Sequence, residues 1–385
     1  MKYIREFIKK HYLAIIVIMA FVLGFGGGLV GSVMGRAYLI DPSLGFLPFG
    51  NLDFSASKYD GQGLVISNAQ NVIVQQDAKI NETVNLVGSS LVGIYKKKPA
   101  PAKPSKVFTL ENFYKINEPS GQGFIITSDG WIVTSLALVK NYNDYVVIAK
   151  DKKIYQIDKA ATDSLTKFNF IHVSARDLPV RKLAETQDIK KGDLTVGVNW
   201  LGLNLISSIS GFSESNGLVK SSDSFSRKIV LNDKPSAEFK GSVIFNLAGD
   251  ALGLINDGGE VEPISHLSGA IKSLFKNKIG IRPSLGVNYI NLAELAEAYG
   301  ETSLWQKGVI IYKDLKAPAI KKNSPAERSG LREGDIIISV DGVELNKDNN
   351  LTEIIQDHLA GETVSLLVSR QGEEREIKVM LAELK

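Results

Sequence analysis

Cysteine is absent from the sequence and histidine occurs only four times, and both shortages exclude kinds of site. Without cysteine there is no disulfide scaffold, no thiolate zinc site, no cysteine nucleophile and no lipid anchor on a thiol. The four histidines lie far apart along the chain, which disfavours a histidine-rich metal site. We therefore expect the protein to use neither a metal ion nor an organic cofactor.

A surplus of one charge is lacking outside the N-terminus. The chain carries a net charge of +3, and residues 1–11 alone hold four cations against Glu6, which is also +3. The remaining residues therefore sum to zero, and this balance indicates no nucleic-acid partner. The length of 385 residues, with 44% hydrophobic and 23% charged residues, is typical of two to three globular domains.

Charge is also lacking from a long, mainly hydrophobic run near the N-terminus. Residues 12–35 carry no charge, and as a helix they would span roughly 36 Å, enough for the ~30 Å core of a lipid bilayer. The alternative is a cleaved signal peptide, but the run is longer than such segments and has no plain cleavage site. Because four cations precede it and only Arg36 closely follows, we expect a cytoplasmic tail at 1–11, a single-pass anchor at 12–35 and all later residues outside the membrane.

Three regions follow the predicted anchor. Residues 36–79 show no sustained periodicity and are predicted to be a spacer. Residues 80–278 contain many short β-type runs separated by turn signals, which is typical of a β-barrel or sandwich. Residues 279–385 combine short strands with short helices and predict a small α+β module. The predicted strands of the middle region are 90–95, 123–126, 131–134, 145–149, 153–157, 195–198, 242–245 and 251–255.

Motifs in the last two regions occur in a recognisable order. They are GQGFII at 121–126, DGWIVT at 129–134, NLAGDALGLIN at 246–256, IRPSLGV at 281–287, SPA at 324–326 and VDG at 340–342. Together they resemble the HtrA family of trypsin-like serine proteases, above all its membrane-anchored, DegS-like members with one PDZ domain. The resemblance implies a mainly β fold, with an N-terminal transmembrane helix, a trypsin-like double β-barrel at 80–278 and a PDZ domain at 279–385. It also implies a homo-oligomer, since such proteins form trimers through the protease domain.

The catalytic residues of that family are missing. A serine protease needs a nucleophilic serine, a histidine base, an orienting aspartate and N–H donors for the oxyanion. At the positions that the resemblance assigns to histidine, aspartate and serine, this sequence has Ala137, Lys167 and Lys240. Glu238 replaces the glycine that helps to shape the oxyanion hole. We therefore expect no catalytic residues in the barrels.

Two alternatives would rescue an enzyme. One is a serine–lysine dyad of Lys240 with Ser242 or Ser135, because a desolvated lysine can serve as a base. The other is a misplaced triad that uses His172, although this residue lies in an apolar run and is expected to pack in the core or at a strand edge. Under either alternative the protein would be a serine endopeptidase with non-standard residues.

We expect the PDZ groove, in contrast, to be functional. Such domains bind a peptide as an added strand and hold its terminal carboxylate on loop amides. The resemblance places the groove at Leu285, Gly286, Val287, Asn288 and Tyr289 on the loop and strand, with Ile354 and Ile355 on a helix that forms the other wall.

These observations lead to one main hypothesis. The sequence predicts a membrane-anchored HtrA-like pseudoprotease whose PDZ domain binds peptide or protein C-termini outside the membrane, in envelope protein quality control or signalling. Besides the active endopeptidase, a non-catalytic subunit that assembles with active relatives stays open.

Overall fold

The computed structural model describes most of the chain after residue 68. The described residues are 69–99, 108–214, 217–276, 280–296, 307–314 and 317–384, together with Ala20, Leu23 and Gly24, which are helical. Asn68–Lys385 forms one compact unit. Apart from those three residues, the predicted tail and anchor lie outside the described residues. Within the described part of the chain, no helix is both long enough and apolar enough to span a membrane.

The described unit begins with helix α1 (Ala69–Gly88). Ile80, Thr83 and Val87 recur at helical spacing and are buried. The Thr83 hydroxyl donates to the carbonyl of Leu247 at 2.8 Å, which ties the helix to a barrel. The helix therefore starts inside the segment predicted as a spacer and continues across the predicted domain boundary at residue 80.

Six antiparallel strands form the first barrel, which is closed in the order β1-β2-β3-β6-β5-β4. Closure pairs every strand on both sides, so that no edge stays open. The strands are β1 (Leu91–Lys96), β2 (Gly121–Ile125), β3 (Trp131–Thr134), β4 (Tyr145–Ala149), β5 (Ile154–Thr162) and β6 (Asn169–Val173).

The second barrel is closed in the order β10-β13-β12-β11-β7-β8. Its core is continuous with part of the first barrel's core, and the rings of Phe124 and Phe245 meet edge to face with centroids 5.7 Å apart. This is the mainly β double barrel that the sequence predicts. The elements are β7 (Leu194–Val198), β8 (Asn204–Glu214), β9 (Lys220–Ser221) in the loop after β8, β10 (Arg227–Leu231), β11 (Val243–Asn246), β12 (Ala251–Ile255), β13 (Val261–Pro263) and the closing helix α2 (Ser268–Phe275).

The α+β module follows with its own hydrophobic core. Its main sheet has the order β20-β19-β17-β16-β15-β9, so β9 of the second barrel's loop pairs with this module. The elements are β14 (Pro283–Ser284), β15 (Asn288–Asn291), β16 (Val309–Ile311), α3 (Pro325–Arg328), β17 (Ile336–Val340), β18 (Val343–Glu344), α4 (Leu351–Asp357), β19 (Thr363–Arg370), β20 (Glu373–Met380) and β21 (Ala382–Glu383).

A buried ion pair joins the module to the barrels. The Arg282 guanidinium donates to both carboxylate oxygens of Asp163, at 2.6 and 2.9 Å, and neither side chain is exposed. Burial alone would raise the pKa of Asp163, but the hydrogen bonds and charge of Arg282 hold it below its usual range. A third donation from Arg282 reaches the carbonyl of His266. Because a lone buried charge is costly, this pair favours one fixed docking of the two parts.

Candidate functional site

The residues at the predicted triad positions lie in three loops of the barrels. Ala137 is exposed in the loop after β3, and Lys240 is exposed in the turn before β11. Lys167 lies in the turn between β5 and β6 with a φ of +65°, and its ammonium donates to the carbonyl of Ser164 at 2.6 Å. None of the three side chains can accept a proton or attack a carbonyl in the manner of a histidine or a serine.

Gln122 on β2 contacts the turn of Lys240 and the loop of Trp200. Its Nε2 donates to the carbonyl of Lys240 at 2.7 Å and to the hydroxyl of Ser242 at 2.9 Å. Its Oε1 accepts from the backbone N–H of Trp200 at 2.7 Å. The amide therefore links the first barrel to two loops of the second. The GQGFII motif contains Gln122, but its contact with Lys240 could not be predicted. A single glutamine between two glycines carries no sequence signal for a contact 118 positions away.

One backbone donor of the turn before β11 is already used within the turn. The backbone N–H of Lys240 donates to the carbonyl of Ala237 at 3.3 Å, inside a 3₁₀ turn. The carbonyl of Glu238 accepts from the Asn199 side chain, and the Glu238 carboxylate accepts from the Ser236 hydroxyl. An oxyanion hole needs N–H donors aimed at the position where negative charge develops. The N–H of Lys240 is not free for this purpose, because it is bonded within the turn.

Lys240 and Ser242 do not make the contacts of a serine–lysine dyad. Ser242 is fully buried with its hydroxyl bonded to Gln122, whereas the Lys240 side chain is exposed. A lysine serves as a base when its ammonium is desolvated against the hydroxyl that it activates.

His172 lies on β6 in the wall of the first barrel. Its Nδ1 is 2.6 Å from a carboxylate oxygen of Asp158, and its ring packs edge to face on Trp131. The other oxygen of Asp158 accepts from the hydroxyl of Ser174, so the serine is bonded to the carboxylate and not to the imidazole. These are packing contacts in the wall of a closed barrel, and they do not pair the imidazole with a serine.

The second site is the groove of the α+β module. Leu285, Gly286 and Val287 form the loop between β14 and β15. Gly286 has a φ of +85°, and a Cβ atom there would lie 2.3 Å from the Cβ of Ser324. Glycine is therefore required both by the backbone conformation and by the close approach of the loop to α3.

The amides of this loop hold a carboxylate from the chain itself. One oxygen of Asp223 accepts from the N–H groups of Leu285 and Gly286, at 3.0 and 3.2 Å. The other accepts from the Ser284 hydroxyl at 2.7 Å and from the Lys321 ammonium at 2.9 Å. Burial alone would raise the pKa of Asp223, but Lys321 and the hydroxyl donors hold it below its usual range.

The residues before Asp223 form a strand in the groove. Strand β9 pairs antiparallel with β15, with Ser221 opposite Asn288 and Lys220 opposite Tyr289. The N–H of Ser222 donates to the carbonyl of Val287 at 2.9 Å. Lys220–Ser221 therefore occupies the edge of β15 at which an added peptide strand would pair.

Helix α4 forms the other wall, but through polar side chains. The Thr352 hydroxyl donates to the carbonyl of Ser221 at 2.7 Å, and Gln356 Nε2 donates to the carbonyl of Ser222 at 3.1 Å. Ile355, predicted as a wall residue, is buried in the module's core, and Ile354 packs against that core. The prediction of this wall rested on apolar residues and did not include Thr352 and Gln356. Their separation of four residues, which places them on one face of the helix, was the sequence signal that could have identified them.

Known proteins resemble both parts of this structure. Residues 283–381 match the family model of the PDZ domain. A probable periplasmic serine endoprotease, DegP-like, from Hahella chejuensis is 24% identical over 279 residues, which cover 69% of this chain and 58% of that protein. Serine protease HTRA1 from Xenopus tropicalis is 26% identical over 305 residues, covering 72% and 64%. The chain thus spans less than two thirds of the length of either relative.

A solved structure is similar in fold. The HtrA-type protease AlgW with tripeptide superposes with a TM-score of 0.52 at 19% sequence identity, and the match covers 80% of this chain and 97% of that one. At this level of identity the likeness concerns the fold alone.

Proposed function

Because the chain belongs to the HtrA family of serine proteases and carries a PDZ domain after its two barrels, we propose that it is a catalytically inactive member that binds peptide C-termini. The barrels then serve as a scaffold for the PDZ domain. The function resides in the groove between β15 and α4.

The observation that carries the proposal is the joint replacement of the three catalytic groups. Ala137 offers no base, Lys167 no carboxylate and Lys240 no hydroxyl, while the flanking strands keep the barrel geometry. Removal of a triad leaves at most the residual catalysis of substrate binding and the oxyanion hole. The N–H of Lys240 bonds to the carbonyl of Ala237, which supports the loss of this residual catalysis as well.

The groove supports the binding half of the proposal. Its loop amides already hold the carboxylate of Asp223, and its strand edge already pairs with an extended segment. A peptide with a free C-terminus presents the same two features, a carboxylate and an extended backbone. The groove therefore has the chemistry for such a ligand.

We also place the barrels and the PDZ domain outside the membrane, held by an anchor at 12–35. The positive charges before the uncharged run favour this orientation, and the Hahella relative is described as periplasmic. A role in envelope protein quality control or signalling, as a trimer, fits such a location.

Calorimetry of the full chain tests the binding function. We expect a decapeptide with a free C-terminus to bind weakly and its amidated form to bind at least tenfold more weakly, because amidation removes the charge that the loop amides hold. Gly286→Ala should abolish binding. The matched control is Gly330→Ala, which also has positive φ but open space around it, and it should leave binding intact. Equal affinity for the two peptides would contradict carboxylate capture.

A further inference from the structure

Residues 220–223 contact the PDZ domain in the way that a bound ligand would. The carboxylate of Asp223 takes the loop amides, and the backbone from Lys220 to Ser222 takes the edge of β15. Asp223 is only 4% exposed, so these contacts are sealed from water. An external peptide needs the same amides and the same strand edge, and it cannot use them while the segment is in place.

Lys220 indicates which kind of side chain the groove favours three residues before the carboxylate. Its side chain is 2% exposed, and its ammonium contacts the carboxylates of Glu214 and Glu294. Glu214 ends strand β8 of the second barrel, but Glu294 belongs to the PDZ domain and stays at the groove when the segment leaves. A carboxylate beside a bound peptide favours a cation at that position and disfavours an anion.

From these contacts we infer that residues 220–223 are an internal ligand of the PDZ groove and the template for an external one. The groove selects a C-terminal peptide with a basic side chain three residues before the carboxylate, and this peptide binds in competition with the chain's own segment. The inference rests on the proposed peptide-binding function and adds its ligand class and its regulation.

The competition favours the internal segment. Both ends of the loop are fixed, by β8 at Glu214 and by β10 at Arg227, so the segment is held near the groove at a high effective concentration. The apparent affinity for an external peptide falls in proportion to the fraction of molecules with an open groove. Any change that releases residues 220–223 therefore exposes the binding site without altering it.

A disulfide switch tests the position of the segment in solution. The bond from Ser222 N–H to the Val287 carbonyl makes Ser221 and Asn288 a non-hydrogen-bonded pair, whose Cα atoms lie about 4.5 Å apart, within the range for a disulfide. The chain has no other cysteine, so S221C/N288C should form one intramolecular crosslink on oxidation. The control S221C/D257C, with the second thiol in an exposed turn between β12 and β13, should form none. Failure of S221C/N288C to crosslink, while both thiols react with maleimide, overturns the inference.

Peptide binding to the same variant tests the competition. The probe is a fluorescent peptide that copies residues 214–222 and ends in alanine with a free carboxylate. We expect the reduced S221C/N288C chain to bind it at least tenfold more tightly than the oxidised chain, by fluorescence anisotropy. Equal affinity in the two redox states overturns the inference. Absence of binding in the reduced state would instead contradict the proposed function, and crosslinking would then decide the internal position alone.

The ligand class has its own measurement. A probe with glutamate in place of the lysine should bind the reduced chain at least tenfold more weakly than the lysine probe. Glu294→Gln should remove most of this difference, because the neutral amide no longer distinguishes the two charges. Equal binding of the lysine and glutamate probes to the unmodified groove would overturn the assigned preference.

Discussion

At the scale of single residues, the proposed loss of activity depends on three side chains and one turn of the barrels. The assignment of Ala137, Lys167 and Lys240 to the triad positions is a prediction from the motifs that flank them. The state of the oxyanion turn could not be predicted, because it depends on where the N–H of Lys240 points. That N–H bonds to Ala237 within the turn, and no residue type in the sequence requires this bond.

Restoring the triad should therefore not restore the enzyme. We expect Ala137→His, Lys167→Asp and Lys240→Ser together to give a folded protein that reacts slowly, if at all, with a serine-directed phosphonate. Loss of one oxyanion donor alone costs on the order of 10²–10³ in rate. Glu238 also adds negative charge beside the position of the oxyanion. The measurement is the rate of phosphonate labelling followed by mass spectrometry.

Reversal of the turn supplies the control. Addition of Glu238→Gly, Phe239→Asn, Ser242→Gly and Val243→Pro to the triple variant should accelerate labelling more than changes elsewhere, because glycine allows the N–H groups to turn toward the cleft. Rapid labelling of the triple variant alone would show that the oxyanion hole is intact and that our account of this turn is wrong.

At the scale of elements, short β-type runs separated by turn signals predict most strands of the barrels. Strand β8 was missed because its sequence, NLISSISGFSE, is rich in serine and half-buried, with little apolar contrast. Strand β9 carries no local signal, since Lys-Ser-Ser-Asp is typical of a turn. It is a strand only because β15 lies beside it. The internal ligand of the groove was therefore beyond prediction from local pattern.

His266 links the closing segment of the second barrel to helix α4 through two carboxylates. Its Nδ1 lies 2.6 Å from Glu262, and its Nε2 lies 3.5 Å from Glu353 of α4. Lys228 contacts Glu262, and Arg227 lies 3.7 Å from Glu353. Burial alone would lower the pKa of His266, but the two carboxylates raise it above its ordinary value.

This raised pKa predicts a pH-dependent contribution to stability. The protonated imidazole stabilises the folded chain fully below the unfolded pKa of about 6.5, and the contribution is lost as pH rises through the higher folded pKa. His266→Gln should therefore lower the free energy of unfolding by about 3 kcal/mol at pH 6 and by clearly less at pH 9. Urea unfolding of the full chain at both pH values measures this difference.

His358 provides the comparison for that experiment. It caps α4 near the surface, where its Nε2 lies 3.1 Å from Asp341, and it is 25% exposed. His358→Gln should change the urea midpoint only slightly at either pH. An equal loss of stability at pH 6 and pH 9 for His266→Gln would show that the imidazole contributes packing and not charge.

At the scale of the whole molecule, motif order predicted two barrels followed by a PDZ domain, and the structure agrees. The way the parts dock was not predictable. Arg282 and Asp163 are 119 positions apart, and each lies in a motif that predicts something else: the PDZ entry and the triad segment. Long-range pairs of this kind depend on the final fold and leave no periodic signal in the sequence.

The membrane topology gives a testable prediction at this scale. With four cations before the uncharged run, we expect a protease added to spheroplasts to digest residues 80–385, because these residues lie outside the membrane. Immunoblotting with an antibody against the PDZ domain measures the loss. A cytoplasmic marker must stay intact. Protection of the PDZ domain while a known external marker is cut would contradict the topology.

The most direct test of the central claim is phosphonate labelling of the unaltered full chain beside an active HtrA-type protease. Intact mass and peptide mapping would report any adduct on a serine of the barrels. The account predicts no adduct under conditions that label the active protease completely, since Lys240 stands at the position predicted for the nucleophile and Ser242 is buried with its hydroxyl bonded to Gln122. Stoichiometric labelling of Ser242 or Ser135 would contradict it and establish a serine protease with a different catalytic arrangement.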